Sequence, residues 1–249
     1  MMHFRIEDVA VTHVGNVRKE NEDSHASLPR EQIWVVADGM GGHHNGQFAS
    51  RAISEAVAGV AHQPLLDGAC DAVAAAIHDA NHKIFSQAQE LGKQMGSTVV
   101  SLIVRGQEFA VLWAGDSRAY LFRDDKLIQL TRDHTQVEDM LERGLLTERE
   151  AADHPMKHVL SRAVGVQAAL ELDGIRDSVA SRDIFLLCSD GLYGVVSDEE
   201  IAAALRARGH FAGEDLIAAC LERGAPDNVT ITLVAANEPT LLSLNGAVQ

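Results

Sequence analysis

The feature that most constrains this chain is a repeated pattern in which a short apolar run meets an acidic residue. Residues 33–37 are apolar and end at Asp38, which glycine follows. Short apolar runs bounded by turn residues are typical of buried strands. The acids that stand at the end or the start of such runs are Asp38, Asp116, Asp190 and Asp227. The sequence therefore predicts strands whose ends carry carboxylates.

Two interpretations of these acids are open. A single Asp-Gly pair after a strand is typical of a hairpin turn, because glycine tolerates positive φ and aspartate bonds its own backbone. The same applies to the turn 114–118, in which Asp116 lies. Oxygen ligands from several carboxylates are, however, what Mg²⁺ and Mn²⁺ require. The recurrence of the pattern favours a site for such cations.

Composition limits the class of protein. The chain has 249 residues, of which 46% are apolar, enough for one domain with a sizeable core. Its net charge of −15 argues against binding to nucleic acid or to an anionic membrane. No basic-then-apolar leader and no apolar run of about 20 residues is present. Three cysteines favour buried free thiols in a reducing compartment. We therefore expect a cytoplasmic protein.

The spacing of apolar residues indicates the secondary structure. Alanine-rich segments 49–60 and 69–85 have helical periodicity and suit packing against a sheet. Short connections between the β-branched segments that follow predict hairpins, and hence antiparallel sheets. Residues 135–161 are helical and charge-rich, with few large apolar side chains. This pattern predicts a partly detached, mobile insertion. The tail 237–249 has no assignment.

Eight short motifs occur together in this chain. They are GNVRKENED at 15–23, VVADGMGGH at 35–43, GSTVV at 96–100, AGDSR at 114–118, LTRDHT at 130–135, HVLSRAVG at 158–165, LLCSDGL at 186–192 and PDNVT at 226–230. In this order they resemble the bacterial form of the metal-dependent Ser/Thr protein phosphatases of the PPM, or type-2C, family. The resemblance extends over about residues 9–234.

The resemblance implies a fold and a site. The implied fold is α+β, a central β-sandwich of two antiparallel sheets flanked by α-helices in four layers (αββα). It is formed by a single phosphatase domain over residues 1–249, with a flap-like insertion at about 135–161. The implied ligands of two tightly bound Mn²⁺ or Mg²⁺ ions are Asp38 as the shared ligand, the Gly39 carbonyl, Asp190, Asp227, and Asp23 with Glu22 nearby. Asp116 matches the ligand of a third, weaker ion. Arg18 matches the arginine that binds the substrate phosphate.

Alternatives remain for individual residues. Arg18 also fits an exposed salt bridge with Glu22, since such pairs are common on protein surfaces. Met40 stands where many eukaryotic relatives have a histidine proposed as general acid, so that His43 or water is left for this role. His134 and His158 are interpreted as structural residues. His13 replaces an acid or asparagine that is common in the family, which puts a contact near the ligands in doubt.

The resemblance implies hydrolysis of phosphoserine and phosphothreonine in proteins by a metal-activated water, with Asp38 and Arg18 as the catalytic residues. No protein nucleophile is required, and no cysteine here opens a glycine-rich anion loop. A non-catalytic phosphoprotein-sensing module of the same fold and a metallo-phosphoesterase for small molecules are the alternatives. The expected partners are phosphoprotein substrates and a Ser/Thr kinase whose action is reversed. We expect a monomer that binds neither nucleic acid nor membranes.

Overall fold

Two antiparallel sheets form the centre of the computed structural model, which describes residues 4–41, 44–152 and 154–238. In spatial order, the first sheet contains β1 (Arg5–His13), β11 (Val229–Asn237), β10 (Asp183–Cys188), β7 (Arg118–Arg123) and β8 (Lys126–Gln129). The second contains β2 (Asp23–Leu28), β3 (Ile33–Met40), β5 (Val99–Arg105), β6 (Glu108–Ala114) and β9 (Asp173–Ser178). The short strand β4 (Gly96–Ser97) pairs with the end of β3.

Helices cover the outer face of each sheet. Those that pack on the second sheet are α1 (His44–Ala58) and α2 (Leu66–Leu91). Those that pack on the first sheet are α5 (Asp190–Tyr193), α6 (Asp198–Arg208) and α7 (Gly213–Glu222), with a 3₁₀ turn at Gly209–Phe211. Two further helices, α3 (Gln136–Glu142) and α4 (Glu148–Ala152), lie in the chain between β8 and β9. None of the helices in the described ranges is long and apolar enough to span a membrane.

The central strands are buried on both faces. In β3, Trp34 and Val36 point towards the other sheet, whereas Val35 points towards the helices. This alternation follows from the two-residue period of a strand. Between the sheets, Phe109 and Phe185 meet edge to face with their ring centroids 4.8 Å apart. The layers therefore run helix, sheet, sheet, helix, and the predicted fold class is confirmed.

The last strand of the second sheet differs from the sequence-based expectation. The pattern at 170–175 predicts a strand, but β9 is Asp173–Ser178. Leu170 and Leu172 lie in a loop, and their side chains pack against the apolar core between the second sheet and helices α1 and α2. The strand itself lies at the sheet edge and is largely exposed. Polar side chains are common on edge strands, since they discourage pairing with another chain.

The two ends of the 135–161 segment lie side by side. Thr135 and Leu160 form an isolated antiparallel bridge, and the Gln136 amide donates to the Val159 carbonyl at 2.8 Å. Between these ends, Val137 is buried but Leu145 is 67% exposed. The spacing of Thr147 and Glu150 predicts a capping box at the start of α4, and the Thr147 amide and hydroxyl do donate to the Glu150 carboxylate. The segment thus contains two short helices between ends that are hydrogen-bonded to each other.

Candidate active site

One cavity of about 1050 Å³ lies at an end of the sandwich and collects most of the predicted site residues. Its wall includes Arg18, Asp38, Gly39, Asp116, Asp190 and Asp227. Each acid is placed by a different element: Asp38 lies within β3, Asp190 begins α5, Asp116 occupies the β6–β7 turn and Asp227 precedes β11. These acids are far apart in the sequence, but they line one cavity because the ends of their strands lie at the same end of the sandwich. His43, which the sequence leaves beside water as a candidate general acid, lies outside the described residues.

Backbone hydrogen bonds fix Asp38. Its amide donates to the Thr98 hydroxyl at 3.0 Å, and its carbonyl accepts from the Thr98 amide at 2.9 Å. The hydroxyls of Thr98 and Ser117 are hydrogen-bonded to each other at 2.6 Å. Thr98 thus joins the strand that carries Asp38 to the turn that carries Asp116. The GSTVV motif gave a signal for this residue in the sequence, but not for its role.

Gly39 has no side chain, so its backbone lines the cavity directly. A Cβ at this position would collide with the Gly46 carbonyl and would lie 2.6 Å from the Glu22 carbonyl oxygen. The Gly39 amide donates to that same Glu22 carbonyl at 3.2 Å. The close approach of three chain segments explains why glycine follows the acid here.

Burial and mutual repulsion disfavour the ionised forms of these acids. The pKa of Asp38 is raised well above its ordinary value by burial and then by the neighbouring carboxylates, foremost Asp23 and Asp190. The pKa of Asp116 is raised to about 7 by burial and by Asp190. Burial and Asp227 raise the pKa of Asp190, whose carboxyl lies within hydrogen-bonding reach of Asp38. Carboxylates that crowd in this way require protons or cations between them.

Glu22 and Asp23 play different parts in the geometry. Glu22 lines the cavity, whereas Asp23 lies behind the wall and accepts a hydrogen bond from the Ser189 hydroxyl at 2.7 Å. Burial raises the pKa of Asp23 to about 6. Among the described residues, the Glu22 Oε1 and Asp23 Oδ1 atoms are buried without a hydrogen-bond partner. Buried oxygens without donors have the chemistry expected of ligands for a hard cation.

The described residues contain no group of three His, Cys, Asp or Glu side chains that forms a complete metal cage. Asp227 is instead paired with Arg18, since its Oδ2 accepts from Arg18 Nη2 at 2.6 Å. Mg²⁺ and Mn²⁺ sites need few direct protein ligands, since these ions keep waters and take phosphate oxygens. The donor set therefore fits hydrated ions that are held partly by substrate.

The turn that carries Asp116 is held from two sides. The Gly115 amide donates to His134 Nδ1 at 3.1 Å, and the His134 amide donates to the Gly115 carbonyl at 3.0 Å. The Tyr193 hydroxyl donates to the Asp116 carbonyl at 2.8 Å. The Arg118 guanidinium lies 3.7 Å from the centre of the Tyr193 ring. A structural role of His134 was predicted, but these partners were not.

The positions of two further residues, Asn228 and His158, at the site were not predicted from the sequence. Asn228 accepts from the Glu22 amide at 2.8 Å and donates to the Val14 and Glu20 carbonyls. It therefore ties the loop that carries Arg18 to the start of β11, and its place beside Asp227 in the PDNVT motif was the available signal. His158, predicted to be structural, is exposed and lines the cavity.

Comparison with known proteins identifies relatives over most of the chain. Residues 7–144 match the family described as Protein phosphatase 2C. The serine/threonine phosphatase stp of Listeria innocua is 31% identical over 234 residues, covering 90% of this chain and 93% of that protein. PppA, a key regulatory component of T6SS in Pseudomonas aeruginosa, is 37% identical with a TM-score of 0.86, covering 93% of this chain and 97% of PppA. The catalytic domain of PstP, solved with 2 manganese ions, is 32% identical with a TM-score of 0.82, covering 94% and 99%.

The raised pKa of Asp116 predicts a pH dependence of stability in EDTA-treated protein. An aspartate with a pKa of about 7 when folded and 3.8 when unfolded stabilises the fold below about pH 4. This contribution is lost as the pH rises to about 7, at up to about 1.4 kcal/mol per pH unit. The free energy of unfolding of Asp116→Asn, measured in urea, should therefore fall less steeply between these pH values than that of the wild type.

The matched control is Asp71→Asn, an exposed residue on α2, which should keep the wild-type slope. An identical pH dependence in Asp116→Asn and the wild type would contradict the assignment of a raised pKa to Asp116.

Proposed function

The chain belongs to the protein phosphatase 2C family, and we propose that it hydrolyses phosphoserine and phosphothreonine in proteins with the help of Mn²⁺ or Mg²⁺. The observation that carries this proposal is the crowding of Asp38, Asp116 and Asp190 in one cavity, where burial raises the pKa of each. Divalent cations would neutralise these carboxylates better than protons do at neutral pH. The manganese-bound relative supports the same choice of ion.

The proposed ligands follow from which oxygens face the cavity. Asp38 is the shared ligand, with the Gly39 carbonyl beside it and Asp190 and Asp227 on one side. For the other side we propose Glu22, which lines the cavity, with Asp23 behind it. When bound, such ions act as Lewis acids that lower the pKa of water and stabilise negative charge on phosphate oxygens.

The chain's own residues bind and orient the phosphate. We propose that Arg18, which now donates to Asp227, turns its remaining guanidinium donors towards the phosphate oxygens. A planar guanidinium can donate two parallel hydrogen bonds to such a group. Cys188 is no alternative nucleophile, since it is fully buried in β10 and burial raises the pKa of its thiol. A water molecule is therefore the nucleophile that this site accommodates.

Asp116 is the proposed ligand of a third, more weakly bound ion. It lines the cavity from its own turn, and its pKa is raised by burial and then by the charge of Asp190. A site with fewer carboxylates binds its cation less tightly. The hydrogen bond that His134 accepts from the Gly115 amide and the one that Tyr193 donates to the Asp116 carbonyl would keep the carboxylate in place when the ion leaves.

We also propose a cytoplasmic signalling role in which this phosphatase reverses a Ser/Thr kinase, acting as a monomer. The support is chemical: Cys70, Cys188 and Cys220 are all unpaired, as is usual in a reducing compartment. The similarity to PppA, which its own description calls a regulatory component, is consistent with such a role. A phosphoproteome comparison of a deletion strain with its parent would identify the substrates.

Replacement of the shared ligand is the first test of the proposed mechanism. Asp38→Asn should lose nearly all hydrolysis of a phosphothreonine peptide in Mn²⁺, by a factor of about 100 or more, since one missing charge weakens both ions. EDTA should abolish the wild-type activity. Asp71→Asn serves as the control for removal of one charge. Full turnover by Asp38→Asn in excess Mn²⁺ would refute the shared-ligand assignment.

Replacement of Arg18 separates phosphate binding from a surface salt bridge. Arg18→Ala should raise KM more than it lowers kcat, if the contact forms mainly in the ground state. Arg18→Lys should recover only part of the loss, because an ammonium cannot form the paired hydrogen bonds. Arg5→Ala, which removes an exposed pair with Glu7, is the control. Wild-type kinetics in both Arg18 variants would leave the residue as a surface charge.

We propose that the insertion at about 135–161 is a flap that selects substrates. Its support is the exposure of the segment between two joined ends, which leaves it few core contacts. Exchange of residues 137–146 for a Gly/Ser linker should change the relative kcat/KM among phosphopeptides more than that for a small aryl phosphate. A parallel fall of both activities and of Tm would show that the segment belongs to the core.

A further inference from the structure

The cavity extends well beyond the carboxylates. Its far part, here called the distal groove, runs between the C-terminal half of α2 and the chain segment before β9. The distal groove is lined by Phe85, Gln89, Lys93, Met95, Val166 and Leu170. Val166 is 52% exposed although it is apolar and lies in a concave surface. A single phosphorylated side chain would fill only part of a cavity of about 1050 Å³.

Buried hydrogen bonds shape one wall of the distal groove. Asn81, which is only 1% exposed on α2, accepts from the Gly165 amide at 2.6 Å and donates to the Gln167 and Ala168 carbonyls. Ser97 and Val164 also exchange two backbone hydrogen bonds, of 3.0 and 2.8 Å. The segment that presents Val166 is therefore tied to the helix and to β4. A wall fixed in this way is preorganised for a ligand.

The distal groove is continuous with the carboxylates. Met40 follows Asp38 by two residues in β3 and pairs with Gly96. A Cβ on Gly96 would lie 2.8 Å from Val166 Cγ2 and 3.1 Å from Met40 Cε, so only glycine leaves these side chains in place. At about 3.3 Å per residue along a strand and about 5 Å between strands, Val166 lies roughly 12–15 Å from Asp38. An extended peptide spans this distance in about four residues.

We propose that the distal groove binds the part of a phosphoprotein substrate that flanks the phosphorylated residue, with an apolar side chain of the substrate against Val166. This rests on the proposed function, since it assigns a substrate subsite to the same cavity. Phe85 and Leu170, both half-buried, supply the remaining apolar surface, and the Gln89 amide offers a polar partner for a peptide backbone. Continuity with the phosphate site selects a peptide over a separate ligand, because one chain can occupy both parts.

The test measures kcat/KM for phosphothreonine peptides that carry Leu, Gly or Asp at each of about five positions on either side of the phosphoresidue. p-Nitrophenyl phosphate is measured in parallel. For the wild type, Leu should exceed Gly by about tenfold at one position, roughly four residues from the phosphothreonine. In Val166→Asp, the ratio of kcat/KM for that Leu peptide to kcat/KM for the aryl phosphate should fall about tenfold. Val166→Thr, which keeps the side-chain shape, should show a smaller fall of this ratio.

Ile128→Asp is the matched control, since Ile128 is 45% exposed on β8 and does not line the cavity. Its ratio should equal that of the wild type. A Leu preference that survives in Val166→Asp, or wild-type hydrolysis without any positional preference, would overturn the assignment of the distal groove while leaving the phosphatase function intact. Failure of the wild type to hydrolyse any peptide or the aryl phosphate in Mn²⁺ would overturn the proposed function and this subsite with it.

Discussion

Electrostatic repulsion among buried carboxylates is the constraint around which this end of the molecule is built. Burial raises the pKa of Asp38, Asp116 and Asp190, and the charge of Asp190 adds to this rise at both Asp38 and Asp116. A chain with no need for cations there would gain stability by losing such charges, because unpaired buried charges are costly. The sandwich instead holds the carboxylates together. The free energy gained by burying the apolar layers between and outside the two sheets offsets their repulsion.

The rigidity of the site comes from residues that carry no negative charge. Thr98 bonds both the backbone of Asp38 and the hydroxyl of Ser117, and Asn228 ties the loop around Glu22 to the start of β11. His134 and Tyr193 hold the turn around Asp116 from opposite sides. Neutral donors and acceptors of this kind fix carboxylates without cancelling their charge. The acids thus keep their capacity for cations while their positions are set in advance.

Much of this arrangement was predictable from the sequence. The apolar runs that end at Asp38 and Asp190 predicted two of the buried strands and placed both acids at strand ends, which is where the cavity lies. Strand β9 was predicted too early in the chain because Leu172 is apolar. Leu172 packs on the core from a loop, and the spacing of apolar residues does not distinguish such a loop residue from a strand residue. The different placement of Glu22 and Asp23 was not predictable, since only the tertiary structure shows that Glu22 lines the cavity while Asp23 lies behind the wall. The partners of His134 were equally unpredictable, because Gly115 and Asp173, whose carboxylate lies 3.2 Å from His134 Nε2, are 19 and 39 positions away in the chain.

The central claim is that cations replace protons among these carboxylates. Calorimetric titration of EDTA-treated protein with Mn²⁺, at about pH 6.5 in two buffers of different ionisation enthalpy, measures the protons released on binding. We expect release of about one proton or more, with a weaker binding phase that disappears in Asp116→Ala while the tighter phase remains. Mn²⁺ binding with the same enthalpy in both buffers, or no Mn²⁺ binding at all, would contradict it.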